Sequence, residues 1–304
     1  MLTRYGEHGL TWLDMIAPTP EEVRSVAQEF DLDPLFAQEL LVASYKPKVE
    51  RRGDCIYVIL HFPTLRSRIS RRSEQEIDFL IGKNFLITTR YENIDPLHSF
   101  AKAFEVNSVL KRNSGHSHGG HLFVSMVRDL YQALVDESEV ISNRLRDIEE
   151  HIFNGDEKRM VLELSHTGKI IHDFRQALVP HKEMLSSLDP VGSRLFGTEF
   201  SYYVRALEGS CARVSETLER QHDSMNELRE TNNSLLSTKQ NEIMKVLTIM
   251  AFVTFPLTLI SSVFGMNTHY LPIVGAPGDF WIVIGMMFAL ALGFFSFFRH
   301  KGWR

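Results

Sequence analysis

Two long uncharged segments near the end of the chain constrain its fold more than any other feature. Residues 246–266 form a run of 21 without a charged side chain, and residues 280–298 form a run of 19. Each run is close to the ~20 residues that an α-helix needs to cross about 30 Å of hydrocarbon. A buried helical hairpin of a soluble protein is the alternative. Because only about a dozen residues separate the runs, the sequence predicts two membrane-spanning helices, 246–266 and 280–298.

The distribution of basic residues predicts the orientation of these spans. Lys239 and Lys245 precede the first span and a basic tail, 299–304, follows the second, whereas the loop 267–279 between them has no Lys or Arg. By the positive-inside rule, both ends face the cytoplasm and the loop is external. The first seven residues form no apolar segment, so no cleavable signal peptide is expected. We therefore expect a multi-pass protein of the cell (inner) membrane.

The rest of the chain is acidic. The chain has 33 Lys and Arg against 38 Asp and Glu, and only four of the bases and one of the acids lie from Ile243 onward. The first 242 residues therefore carry a net charge of −8, which repels a phosphate backbone and attracts cations. Cys55 and Cys211 fit reduced thiols in a cytosolic body. We expect no nucleic-acid partner.

Signatures of nucleotide binding and catalysis are missing from the sequence. No Gly-x-x-x-x-Gly-Lys-Ser/Thr motif is present, and the His residues are not tied to a Ser or Cys by a recognisable pattern. The sequence therefore predicts neither a nucleotide partner, nor an ATP-driven pump, nor an enzyme. No organic cofactor is expected.

The N-terminal part, 1–115, reads as a cytoplasmic α/β domain. Thr19-Pro20-Glu21-Glu22 is a capping box with proline at the first helical position. Strand-like runs follow at 55–62, 76–81 and 85–89, and Gly82-Lys83-Asn84 joins the last two as a hairpin turn.

A cytoplasmic helical region is predicted over 121–245. A first helix runs to about Phe153 and breaks at Asn154-Gly155, and a second runs to about Leu188 and breaks at 189–192. A stalk helix begins near residue 200 and continues into the first span, because no proline occurs before Pro256.

The stalk helix carries a heptad seam that needs partners. Either the two preceding helices of the same chain cover it, or it self-associates with other copies. Its members follow alternating steps of four and three: Phe200, Val204, Leu207, Cys211, Val214, Leu218, Gln221, Met225, Leu228, Asn232 and Leu235.

One face of the first span is small and polar. If this face contacted lipid, its hydroxyls could hydrogen-bond only to backbone carbonyls four residues earlier in the same helix. In a ring of such helices, the face would line an aqueous pore. Ordinary packing of small residues between helices is the alternative. The face comprises Asn241, Met244, Thr248, Ala251, Phe255, Thr258 and Ser262.

The end of this span resembles the CorA family of divalent-cation channels. Gly265-Met266-Asn267 stands at the outer end of the first of two C-terminal spans, as it does in that family. Individual residues are similar from Asn241 to Asn267, and weaker sequence similarity occurs in Lys46–Glu50 and Gly82–Phe85. The architecture is similar over most of the chain.

The resemblance implies a passive channel for a divalent cation, most of all Mg²⁺, with Co²⁺ or Ni²⁺ as further ions. It implies a funnel-shaped homopentamer in membrane lipid, with an α/β cytoplasmic domain, long stalk helices and a two-helix transmembrane hairpin whose first span lines the pore. The divalent cation is then the substrate and a candidate regulator.

The chemistry of Mg²⁺ fits a filter made of neutral oxygens. Mg²⁺ gives up its water reluctantly, so a ring of Asn267 carboxamides can bind the hydrated ion, and Gly265 allows close approach and offers a carbonyl. Further in, Thr258 and Ser262 are expected to contact the water shell. Asn241 forms an inner polar ring, and the constrictions are apolar: Met244, Leu247 and Phe255.

The loop after the tripeptide departs from the family pattern. Magnesium-transporting members often have Met-Pro-Glu where this chain has Leu271-Pro272-Ile273, and Thr268-His269 replaces the usual aromatic residue. A zinc-transporting branch shares the Gly-Met-Asn signature, so a zinc transporter coupled to protons is the alternative. A membrane-anchored cation sensor or scaffold without flux is a third hypothesis.

A histidine-rich loop is the remaining candidate site. His116, His118 and His121 are spaced closely enough to bind zinc. A flexible surface linker is the alternative interpretation.

Overall fold

The computed structural model describes residues 1–7, 9–44, 46–63, 74–91, 95–109, 118–266, 273, 275 and 278–301. In chain order, these residues form β1 (Leu2–Glu7), β2 (Leu10–Ile16), α1 (Pro20–Glu29), α2 (Pro34–Glu39), β3 (Lys48–Arg52), β4 (Cys55–Pro63), β5 (Glu74–Ile81), β6 (Phe85–Arg90), α3 (Asp95–Val109), α4 (Gly119–Phe153), α5 (Glu157–Phe196), α6 (Glu199–Phe264) and α7 (Asp279–His300). Contacts divide the chain into two compact units, Met1–Arg229 and Glu230–Arg304.

The first unit contains a six-stranded sheet in the order β1-β2-β6-β5-β4-β3. The neighbouring strands are antiparallel except for β2 and β6, which are parallel. The predicted hairpin turn is confirmed: β5 and β6 are antiparallel, and the Gly82 amide donates to the Phe85 carbonyl at 2.9 Å. The strands β1, β2 and β3 were not predicted.

Helices cover both faces of the sheet. Side chains of α1 and α2, including Val26 and Phe36, pack on the face that carries Tyr57 and Leu80. On the other face, the Phe79 ring meets Phe123 of α4 at a centroid distance of 5.1 Å. The predicted capping box of α1 is also confirmed, since Thr19 and Glu22 each accept from the other's backbone amide.

The predicted helix break at residues 189–192 is wrong. Helix α5 continues through Pro190 and is capped only by Gly197, which has a φ of 96°. Leu188 and Leu195 are both buried, so packing on either side of the proline holds the helix together at the expense of one backbone hydrogen bond. Tertiary contacts therefore override a local breaker.

The heptad seam of α6 is buried inside its own chain. Gln221 donates to the Ser138 carbonyl of α4 at 2.6 Å, and Arg175 of α5 pairs with Glu219 at 3.3 Å. Of the two partners predicted for the seam, the structure thus supplies the preceding helices. The buried members are Phe200, Val204, Leu207, Cys211, Val214, Leu218, Gln221, Met225, Leu228 and Asn232.

Candidate ion pathway

Helix α6 continues without interruption through the first predicted span. It is 66 residues long, and both its C-terminal part and α7 are long and apolar enough to cross a membrane. Because the helix turns about 100° per residue, the predicted lining residues fall within about 60° of one line along its surface. One regular element therefore carries all of them except the filter tripeptide.

Most of this predicted pore face is exposed within the single chain, whereas Thr248 and Ala251 are half-buried. Phe255 is 73% exposed and Met244 is 56% exposed. The large half-buried residues of the same segment lie on the opposite side of the helix: Ile249, Val253, Leu257, Ile260 and Phe264. The other described helix of this unit is α7, and its Phe298 ring meets Phe252 at a centroid distance of 6.2 Å. Six of the eight predicted lining residues are thus exposed, and residues on other sides of the span, such as Leu259, are exposed as well.

The hydroxyl groups on the span bond to their own helix. Thr248 donates to the Met244 carbonyl at 2.7 Å, and Thr258 donates to the Thr254 carbonyl at 2.9 Å. Because each hydroxyl hydrogen is used in the bond to the helix, the oxygen can act only as a hydrogen-bond acceptor toward groups outside the helix. Water molecules around a cation point their hydrogens outward, so an acceptor surface matches a hydrated cation. The same bonds also satisfy the hydroxyls in lipid and do not by themselves require a pore.

The outer end of the span is a tight turn at Gly265. Helix α6 ends at Phe264, the Gly265 amide donates to the Ser261 carbonyl at 2.9 Å, and the Met266 amide donates to the Val263 carbonyl at 3.3 Å. A Cβ atom on Gly265 would lie 2.9 Å from the Ser261 carbonyl oxygen, so a side chain would displace the backbone. Met266 is exposed. Asn267 and the departures at residues 268–272 lie outside the described residues.

The predicted linker at the histidine cluster is wrong where the structure describes it. His118 caps the N-terminus of α4, and its ring stacks on those of His121 and Phe196 at centroid distances of 4.0 and 4.5 Å. Burial and the nearby His121 lower the pKa of His118 to about 4. His116 lies outside the described residues. Within the described ranges, no three His, Cys, Asp or Glu side chains are grouped to hold a metal ion.

A group of buried polar residues was missed by the sequence analysis. Glu76 and Asp78 lie on β5, and His181 lies on α5, all with less than a tenth of their surface exposed. The available signal was the Glu-x-Asp sequence at the start of a predicted strand. Side chains two residues apart on a strand lie on the same face of the sheet, so both acids share one face. That signal does not reveal whether the face is buried.

Comparison with known proteins gives a consistent result. Residues 7–300 match the family model described as "CorA-like Mg2+ transporter protein". The chain is 25% identical over 298 residues to the cobalt/magnesium transport protein CorA of Thermotoga maritima, covering 96% of this chain and 83% of that protein. It is 26% identical over 309 residues to the magnesium transport protein CorA of Haemophilus influenzae, covering 96% and 91%.

The fold is also similar to that of a solved transporter. The structure of the CorA magnesium transporter from Methanocaldococcus jannaschii aligns with a TM-score of 0.85 at 20% identity, over 99% of this chain and 93% of that chain. The likeness covers the soluble α/β domain, the long helices and the two apolar C-terminal helices.

Proposed function

This chain belongs to the CorA-like Mg2+ transporter family, and from that premise we propose that it is a passive channel for divalent cations. The ion crosses the inner membrane toward the cytoplasm along the exposed face of α6, in a homopentamer that encloses the path. A ring of Gly265, Met266 and Asn267 selects the hydrated ion at the outer mouth. Both chain ends lie in the cytoplasm.

The observation that carries this proposal is the position of Gly265 and Met266 directly after the end of α6. The helix runs unbroken to Phe264 and turns at Gly265, while the predicted lining residues lie opposite the half-buried side of the span. A single span cannot enclose water, so several copies are needed to bring these faces together. Neutral oxygens along the path bind a divalent ion weakly enough for it to leave.

The driving force is electrical. An inside-negative potential contributes roughly 2.3 kcal/mol per elementary charge per 100 mV, and about twice that for a divalent ion. Inward flux then needs no nucleotide, in agreement with the lack of a phosphate-binding motif in the sequence.

Magnesium is the proposed principal ion, with cobalt and nickel as further substrates. The specific observation that favours zinc as a second candidate is the Leu271-Pro272-Ile273 sequence, which has no acidic residue where magnesium-transporting members often have one. Proton coupling would accompany the zinc alternative. Flux compared across these ions decides between them.

We also propose that cytoplasmic divalent cation closes the channel. The net charge of −8 on the first 242 residues attracts such ions, and a cation that binds more tightly between closed subunits shifts the population toward that state. A shift from 99% open to 99% closed needs about 5.5 kcal/mol, which several ions per oligomer can supply. Protease digestion of the stalk with and without Mg²⁺ tests this, since an unchanged pattern together with unchanged flux contradicts closure.

Flux in liposomes tests the channel itself. Purified protein should carry Mg²⁺ inward without ATP, and Asn267→Ala should abolish the flux while the oligomer stays intact. Asn226→Ala, on an exposed part of α6 before the span, is the matched control and should transport normally. Normal flux through Asn267→Ala contradicts the filter assignment, and no flux through the assembled wild type favours the sensor or scaffold.

A further inference from the structure

A buried acid site lies in the middle of the sheet, on the face covered by α1 and α2. Asp78 of β5 is fully buried, and its cross-strand neighbours are Ile59 of β4 and Thr89 of β6. Glu76, two residues before Asp78 on the same face, is 7% exposed. Tyr57 belongs to the apolar core of this face. Two carboxyl groups are thus buried on this face of the sheet.

Several polar atoms at the site have no hydrogen-bond partner among the described residues. They are Oδ1 of Asp78, Oγ1 of Thr89 and the hydroxyl of Tyr57, all buried. The Tyr91 hydroxyl reaches Oδ2 of Asp78 only at 3.5 Å. A buried carboxylate normally takes two or three good hydrogen bonds or a cation, because an isolated buried charge costs many kcal/mol. Among the described residues, Asp78 has only tyrosine hydroxyls to compensate a negative charge, and their effect is smaller than that of burial.

Among the described residues, the charged groups around the site are engaged by other partners and do not neutralise Asp78. Lys48 on β3 lies 5.8 Å from the centre of the Tyr57 ring but is held by Glu39 and Glu50 at 2.8 and 2.5 Å. Arg90 of β6 pairs with Asp14 at 2.7 Å on the opposite face of the sheet. The titratable and charged groups that face the site from each packed element are Glu39 (α2), Lys48 (β3), Tyr57 and His61 (β4), Glu74 and Glu76 (β5), and Tyr91 (after β6).

Glu76, by contrast, has partners that suit a carboxylate. Its Oε1 accepts from the Ser44 amide at 2.8 Å, and its Oε2 lies 3.4 Å from Nε2 of His61. Glu76 therefore has a backbone amide and an imidazole beside it, whereas the described donors near Asp78 are tyrosine hydroxyls. Two adjacent carboxylates in a dry site do not both ionise.

We propose that Glu76 and Asp78 form a proton-binding site that retains one proton, on Asp78, at cytoplasmic pH. The neutral Asp78 hydroxyl then donates to the Glu76 carboxylate, so the buried pair carries one negative charge instead of two. Burial and the neighbouring Glu76 raise the pKa of Asp78 well above its ordinary value, in agreement with this geometry.

His61 connects this site to the helical layer. Its Nε2 donates to the Ser44 carbonyl at 2.8 Å, and its own carbonyl accepts from Nε2 of His181 at 2.8 Å. Nδ1 of His181 in turn accepts from the Tyr131 hydroxyl at 2.8 Å, and Tyr131 contacts Cys211 of α6. A chain of hydrogen-bonded groups thus leads from the acid pair through α5 and α4 to α6, entirely within the first compact unit.

Release of the proton adds a second negative charge beside His61. His61 is the group that responds, because its Nε2 already faces Glu76. Movement of its backbone disturbs the acceptor of His181 and, through Tyr131, the packing of α6. The proton site is therefore placed to make α6 sensitive to cytoplasmic pH.

Infrared difference spectroscopy of the full chain in detergent tests the proton site directly. The wild type should show the C=O band of a protonated carboxylic acid near neutral pH, and Asp78→Asn should lose it while keeping the shape of the side chain. Glu76→Gln removes the charged neighbour and should move the titration of this band to lower pH. A wild type without the band at neutral pH, a band that survives in Asp78→Asn, or an unmoved titration in Glu76→Gln overturns the proposal.

Flux at varied cytoplasmic pH tests the connection to α6, and this readout rests on the proposed channel function. Wild-type flux should change several-fold between about pH 6 and about pH 9, a window above the ordinary carboxyl pKa. Tyr131→Phe removes one hydroxyl from the chain, so it should keep the infrared band but lose the pH response. An unchanged pH response in Tyr131→Phe overturns the connection. Since the infrared band does not depend on transport, failure of the channel proposal is distinguishable from failure of the proton site.

Discussion

Gly192 of α5 lies directly against the ring of Phe200 in the first turn of α6. A Cβ atom on Gly192 would fall 2.2 Å from Cε1 of that ring, and Phe200 is 1% exposed. Gly192, which suggested a helix break in the sequence, therefore leaves the space that the Phe200 ring fills when α6 packs against α5. This contact fixes the start of α6 against the end of α5.

Gly192→Ala should destabilise the protein by about 1–3 kcal/mol, the usual cost of overpacking a filled core. The Phe200 ring must move because the clash involves atoms near the middle of a buried side chain. Gly209→Ala is the control: nothing lies within 4 Å of its added Cβ, and alanine favours a helix by up to about 1 kcal/mol. Thermal unfolding of the two variants in detergent should shift in opposite directions, and equal shifts contradict the assigned contact.

Gly265→Ala should lower Mg²⁺ flux by about tenfold, which corresponds to ~1.4 kcal/mol in the barrier. The added methyl group would approach the Ser261 carbonyl to 2.9 Å and displace the turn that leads to the filter. Gly285→Ala, on α7 with open space around its Cβ, is the matched control for liposome assays. Wild-type flux in Gly265→Ala would show that the turn tolerates a side chain and does not position the filter.

Ser262→Ala and Ser261→Ala separate the pore face from the rest of the span. The two serines are adjacent and therefore about 100° apart on the helix, with only Ser262 on the predicted face. Loss of an acceptor worth about 0.5–1.5 kcal/mol should reduce flux roughly twofold to tenfold in Ser262→Ala alone. If Ser261→Ala is equally impaired, the face has been assigned to the wrong side of α6.

His181 should make folding stability depend on pH. Burial lowers its pKa from 6.5 to about 4 in the folded chain, so the unfolded chain binds an extra proton between these values. Its contribution is thus fully present above about pH 6.5 and is lost as the pH falls toward about 4, with a slope of at most about 1.4 kcal/mol per unit. Thermal unfolding between about pH 5 and 6.5 should show a shallower slope in His181→Gln.

His172→Gln provides the control for that titration. His172 lies on the same helix but is exposed, so its replacement should leave the pH slope unchanged. If unfolding of His181→Gln and His172→Gln depends on pH with the same slope, His181 is not the group that makes stability depend on pH.

Native mass spectrometry in detergent should show five copies of the chain as the main species. The physical reason is that most of the predicted pore face of α6 is exposed within one chain and, in the proposed channel, is covered by other copies around a central path. Asn267→Ala should give the same spectrum, because the filter is not expected to hold the subunits together. A dominant monomer or dimer contradicts the channel proposal.

Local patterns were sufficient for the elements whose signals lie within a few residues. The two apolar spans follow from length and composition, the α1 cap from Thr19 and Glu22, and the β5–β6 hairpin from a turn of three residues. The turn at Gly265 near the end of the first span was likewise indicated by the sequence, because about 20 apolar residues are what a helix needs to cross the hydrocarbon.

Contacts between distant residues decided what the sequence left open. The parallel pairing of β2 with β6 joins Thr11 to Phe85, and no local pattern indicates it. The alternating sequence pattern places Asp78 on one face of the sheet, but the same pattern occurs whether that face is solvated or buried. Packing against the rest of the domain excludes water from this face. His61 and His181 are 120 residues apart, so their hydrogen bond exists only after the sheet and α5 have met. The sequence by itself determined the spans, caps and motif, whereas the buried proton site and the covered seam arise from tertiary packing, because burial is a property of the assembled layers and not of any one segment.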